Sequence, residues 1–498
     1  MPRNTQDGVC KMLKFGNHFV FLCAILASLA NALPAAAQIE QLARRVPSSA
    51  NALIVINARS AYNSPLAEAR NWNQSAVVSK RDGMVELPSR ANQILMAAEF
   101  DYEFVQPLWE VAVASATELP PMRDLASRSG AQLDRIAASQ VFERTNDSVV
   151  AKLGTKIIGA WAPANRQQVS RWLRESHRRK QPDLSEYLTD AITKATDETN
   201  HIVLALDLQG LLDPAEVAKT LAKRDDLPTD EGGADSLATV VASLRGARLV
   251  VQLKDPAQGS LTLDFEHETE SLTGFAKPML LEALSKNGLN IDDIQAWKVR
   301  SIEKSIVLEG EVSPAGLRRI LSVLTSPVGP LTKKPSEDSI ASGISVDASQ
   351  EYFQAIVNYL NDLFFSDQKP RSLHEVKVWI ERYAHKIEDL DTYQVDPDLV
   401  DFGQQAVGSL REILSVINRA QTRSDLREST IDIGGQRRYG RYGAYGYYEK
   451  AGATRDRQLI QADEASRGLG AAGTIVEELR SLSSQTRNEM TARYNRQF

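Results

Sequence analysis

At 498 residues and 43% hydrophobic content, the chain has room for two to four domains with sizeable cores. Its 58 basic and 64 acidic residues leave a formal charge of -6, which argues against the basic surface that non-specific nucleic-acid binding needs. Both cysteines, Cys10 and Cys23, precede residue 25, so a chain shorn of its N-terminus has no disulfide, thiol nucleophile, zinc-thiolate site or Cys-anchored haem.

Residues 1–37 read as an export signal. Lys11 and Lys14 give a basic start, Phe19 to Ala30 is a short apolar run, and Ala35-Ala36-Ala37 offers a small-residue cleavage site before Gln38. The run is too short to span a bilayer, which takes roughly 20 residues, and no later segment approaches that length. The signal holds three basic residues and one acidic, so the remainder carries -8. The expected destination is the periplasm or the cell surface. Met12 offers an alternative start.

Residues 38–195 and 196–327 read as two copies of one antiparallel α+β unit. Ala52 to Ala69 resembles His201 to Ala218, with Pro65 matching Pro214; Gly159 to Leu173 resembles Gly310 to Leu324, with Pro163 matching Pro314. Ser64-Pro65, Asp213-Pro214 and Ser313-Pro314 each combine an N-cap residue with proline at the first helical position, and Glu216 completes a capping box with Asp213. In the first copy the spacing predicts strands at Leu53–Asn57, Trp109–Ser115, Gln140–Arg144 and Thr155–Trp161, and a closing helix at Arg166–Arg178. In the second, Leu261, Leu263 and Phe265 alternate with Thr262, Asp264 and Glu266, a strand with one buried and one wet face. Further strands are expected at Ala247–Leu253, Gln295–Arg300 and Ser305–Val312, with helices at Asp235–Leu244 and Leu272–Ser285 on one face of the sheet.

A linker at 328–346 leads to a helical region, 347–428. Three apolar stripes, Tyr352 to Phe364, Val376 to Ile387 and Val407 to Ile417, recur at helical spacing; a fourth, Ile475, Leu479 and Leu482, lies in a C-terminal helix at 455–498. That last stripe, on an otherwise charged rod, suggests self-association.

Between the helical segments, 429–454 is a Gly/Tyr-rich loop. Arg437, Arg438, Tyr439, Arg441, Tyr442, Tyr445, Tyr447 and Tyr448 form a candidate contact surface, suited to a cell-envelope polysaccharide or protein.

SQEYFQAIVNYLNDL, VKVWIERYAHKIEDL and VDPDLVDFG, with the Gly/Tyr stretch behind them, resemble segments of uncharacterised exported proteins of planctomycete-type bacteria. The resemblance covers Ser349 to Tyr448. It implies an exported protein and carries over no site residue.

No catalytic, cofactor or metal motif stands out. Glu388, Asp389, Asp391, Asp396, Asp398 and Asp401 lack the EF-hand glycine and closing glutamate; Asp396-Pro397-Asp398 reads as a helix start. The histidines after the signal are scattered, and His374 and His385 sit too far apart along a helix to share a metal. Ser301-Ile302-Glu303-Lys304 matches S-x-x-K by letter but falls in a hairpin. The expectation is an exported, non-enzymatic binding or envelope-associated protein. The rival is a hydrolase working through carboxylates, for which Asp264, Glu266 and Glu268 are the candidate acids.

Overall fold

The computed structural model describes residues 35–72, 91–102, 106–144, 147–222, 233–286, 289–322, 343–365, 377–388, 390, 392, 394–435 and 472–498. Most of the signal with its two cysteines, most of the linker and the Gly/Tyr-rich contact residues lie outside them.

In chain order the elements are α1 (Ala35–Ala43), β1 (Ala52–Ile56), α2 (Ala58–Tyr62), α3 (Pro65–Ala69), β2 (Ala91–Asp101), β3 (Gln106–Ala116), α4 (Met122–Arg128), β4 (Asp134–Ile136), β5 (Ser139–Arg144), β6 (Ser148–Lys152), β7 (Ile157–Ala162), α5 (Arg166–Arg178) and α6 (Glu186–Ala195). They continue with β8 (Ile202–Asp207), α7 (Pro214–Leu221), α8 (Gly233–Ala242), β9 (Leu244–Gln252), β10 (Gln258–Phe265), α9 (Ala276–Lys286), β11 (Lys298–Ile302), β12 (Ser305–Glu311), α10 (Pro314–Ser322), α11 (Val346–Leu360), α12 (Lys377–Glu388) and α13 (Pro397–Gly435). A last helix, α14, covers 472–494.

The twelve strands among the described residues join one antiparallel sheet, so the two expected units share a single layer. The seam is the β1–β8 ladder, in which Ile54 faces Leu204 and Val55 faces Val203. Outward from it the order is β1, β2, β3, β7, β6, β5, β4 on one side and β8, β9, β10, β12, β11 on the other.

Helices cover both faces of the first half, not one. α1, α5 and α6 pack against one face through Ile39, Leu42, Trp172, Leu173, Leu188 and Ile192. α2, α3 and α4 cover the other through Ala61, Leu66 and Leu125, and that core runs on beneath α8, α9 and α10. The cause lies in the strands. β2 sends Ile94 and Met96 to one core and Leu95 and Ala97 to the other, the mark of a strand buried on both sides. In the second half Leu261, Leu263 and Phe265 pack on the core, while Ser260, Thr262 and Asp264 take the other face, half-buried rather than wet.

The caps follow the chain chemistry. Ala67 N donates to Ser64 Oγ at 3.2 Å, Ala215 N to Asp213 Oδ1 at 2.7 Å and Gly316 N to Ser313 Oγ at 3.0 Å. The capping box does not close with Glu216, whose carboxylate instead takes Lys219 Nζ at 2.6 Å.

The C-terminal helices build a separate core from Phe353, Tyr359, Trp379, Tyr383, Phe402 and Leu410. Ile475 and Leu479 of α14 are buried in it, so the stripe expected to drive self-association is used within the chain. Residues 429–435, expected as loop, end α13. Among the described residues no helix is long and apolar enough to cross a membrane.

Candidate functional site

The sequence-predicted acids do not assemble into a site. Asp264 is consumed by structure: its carboxylate accepts from Tyr187 Oη at 2.9 Å and Ser305 Oγ at 2.7 Å, with Arg248 3.6 Å away. Burial, then the neighbouring Asp264 charge, pushes the Tyr187 hydroxyl far above its ordinary value. Glu266 and Glu268 are exposed, the former held by Gln209.

The acidic stretch before α13 is likewise engaged with cations. Glu388 binds Arg411 at 2.7 Å and lies 3.3 Å from His385. Asp396 caps α13 by accepting from Asp398 N at 2.9 Å, the role its sequence suggests, and also binds Arg493 and Tyr494. Asp389 and Asp391 lie outside the described residues. Among the described residues no group of three or more His, Cys, Asp or Glu side chains is arranged to hold a metal ion. Ser301 sits on β11 just before the hairpin, 2.8 Å from Thr269 Oγ1.

What the topology does build is a cleft of about 560 Å³ where the two halves meet. One wall is α3 of the first half, with Leu66 and, past its end, Arg70. Leu66 N donates to Leu253 O at 3.2 Å, which ties α3 to the end of β9. The β9–β10 turn contributes Asp255 and Pro256. The opposite wall is Trp297, Glu311 and the start of α10, Ser313 to Leu317.

Trp297 sets this wall. Its Nε1 donates to Glu311 O at 2.8 Å, and its ring lies over Gly259 and Gly310. A Cβ at Gly310 would fall 2.4 Å from Trp297 Cδ1, and one at Gly259 2.5 Å from Cη2. Both distances are well inside carbon–carbon contact, so only glycine lets the indole lie flat here.

Asp293 is the half-buried acid of the cleft. Its Oδ2 accepts from Ser313 N and Ser313 Oγ, each at 3.1 Å. Burial raises its carboxyl above the ordinary range, opposed by the two Ser313 hydrogen bonds and by the charge of Arg319. Gly316 makes room for it, since a Cβ there would lie 1.7 Å from Oδ2. A carboxylate with a raised pKa in a concave site is a functional-site candidate. The sequence hid it, because Asp255, Asp293 and Glu311 come from three segments that only the folded sheet brings together.

No family model matches the chain, and no curated protein matches it. Among solved structures it is similar to TP0453. Crystal form I matches at TM-score 0.33 and 13% identity over 56% of this chain and 96% of TP0453. Crystal form III matches at TM-score 0.34 and 13% identity over 59% and 98%.

Proposed function

We propose that this is an exported, non-enzymatic binding or envelope-associated protein whose ligand is held in the cleft between two duplicated halves. The cleft itself carries this reading: it takes walls from both halves, a common setting for ligand sites. Export is supported by α1, where Ile39, Leu42 and Ala43 are buried. All three follow Ala37, so these core residues lie beyond the expected cleavage point. The resemblance of Ser349 to Tyr448 to exported planctomycete-type proteins points the same way. Duplication is supported by the first three strands outward from the seam, β1-β2-β3 against β8-β9-β10, beyond which the first half adds four strands and the second two, and by the capped prolines after β1 and β8.

The Gly/Tyr stretch, Arg437 to Tyr448, is the proposed contact with envelope polysaccharide or protein. Changing its five tyrosines to serine should reduce retention on isolated envelope; unchanged retention removes this contact from the proposal.

For the cleft, Ala296→Trp puts a ring into the space from an exposed lining position. The expected result is loss of retention on the cell envelope with unfolding unchanged; full retention overturns the cleft as the binding site. The hydrolase alternative moves from Asp264, Glu266 and Glu268 to Asp293, whose raised carboxyl suits a proton donor. It predicts release of sugar fragments from envelope polymer, abolished by Asp293→Asn.

A further inference from the structure

The cleft pairs an apolar wall with unneutralised acid. Leu66, Pro256 and Leu317 present carbon to the space, while Asp255, Asp293 and Glu311 present carboxylates; Arg70 alone of the lining residues is basic. Asp293 is met by the neutral donors of Ser313. Among the described residues none of the three carboxylates has a cation at salt-bridge distance.

Asp255 and Glu311 stand at the exposed rim, and Asp293 alone is half-buried; a partly desolvated acid gains most from an incoming opposite charge, because screening by water is weaker there.

We infer that the cleft takes an organic monocation, a primary ammonium or guanidinium on a short apolar stem, with its charge against Asp293 and Glu311 and its stem against Leu66 and Leu317. This rests on the cleft being the ligand site. The chemistry is shared by a basic side chain of a peptide and by a free amine. An anionic ligand is disfavoured by three carboxylates against one arginine.

The test titrates the full chain by calorimetry with hexylammonium, hexanol and hexanoate, which share a stem and differ in charge. Hexylammonium should bind saturably at one site, hexanol at least ten-fold more weakly, and hexanoate without measurable heat. Asp293→Asn keeps an acceptor for both Ser313 donors; it and Glu311→Gln should each weaken hexylammonium about five-fold with thermal unfolding unchanged. Absence of saturable hexylammonium binding overturns the inference, as does equal binding of hexanol or hexanoate, or affinity indifferent to both substitutions. If hexanol binds equally and Ala296→Trp abolishes it, the cleft survives as the site and only its charge preference falls. Nα-acetyl-lysine amide and 1,6-diaminohexane then separate the peptide from the free-amine source: whichever binds more tightly supports the inference and names the source, and failure of both overturns it.

Discussion

Arg318 grips Asp362 through two parallel hydrogen bonds, Nε to Oδ2 at 2.6 Å and Nη2 to Oδ1 at 2.7 Å. The pair joins α10 of the sheet layer to the turn that ends α11. Next to it, Arg319 donates to the carbonyls of Asp362 and Asn290, and Trp379 Nε1 reaches the same Asn290 carbonyl at 2.9 Å. The helical region is therefore fastened to the second half by buried charge as well as by apolar packing.

Breaking that grip on one side leaves a buried charge uncompensated. Asp362→Asn or Arg318→Met should each cost about 3–5 kcal/mol, whereas an apolar replacement of both partners costs far less. Urea unfolding of the two single variants and the double variant checks this. Single losses below about 0.5 kcal/mol would show that the pair contributes nothing.

Gly310→Ala forces a methyl group into the Trp297 indole. Overpacking of this kind costs about 1–3 kcal/mol. Pairing it with Trp297→Leu should recover part of that loss, because the clash is with the ring itself. If the double variant is destabilised by the full sum of the single effects, the glycine serves some purpose other than seating the indole.

His201 is buried and accepts Leu253 N on Nδ1 at 3.0 Å. Burial lowers its pKa, against opposing contributions from Thr199 and Asp197. The unfolded chain therefore binds a proton near the ordinary 6.5 while the folded chain resists it, so stability falls as pH drops from that value towards the lowered one. His201→Gln retains an acceptor without titrating. Its unfolding midpoint should change less than that of the parent between pH 7.5 and pH 5; parallel slopes would refute the assignment.

Asp396 ties the far end of the chain to the start of α13. Burial works to raise its pKa, but hydrogen bonds from Tyr494, Arg493 and Asp398 N outweigh it and hold the carboxyl below its ordinary value. Its contribution is present above that ordinary value, about 3.8, and is lost as pH falls through the lowered one. Asp396→Asn should speed amide exchange in α14 (472–494) at pH 7 while strands β1 and β8 stay protected. Unchanged exchange in α14 would mean that Phe498 and Met490, buried in the same core, hold the helix unaided.

Much of this fold is legible wherever water touches one side of an element. The alternation of Leu261, Leu263 and Phe265 marks β10, and the Ser64, Asp213 and Ser313 caps mark three helix starts. β2 and β6 escape the same reading because both of their faces are buried, so Ile94, Leu95, Met96 and Ala97 run together without a period. β4 has only three residues. The shared sheet was illegible for another reason: an apolar strand such as ALIVI does not declare its partner, and β1 pairs with β2 on one side and β8 on the other. The cleft acids were unreadable in consequence, since their meeting depends on that pairing.

The seam also limits how the two halves can move against each other. In a two-lobed receptor joined by flexible crossings, the lobes swing shut like a clamshell. Here five residue pairs of backbone ladder run straight through the boundary, so the same swing would break the ladder that makes the two halves one sheet.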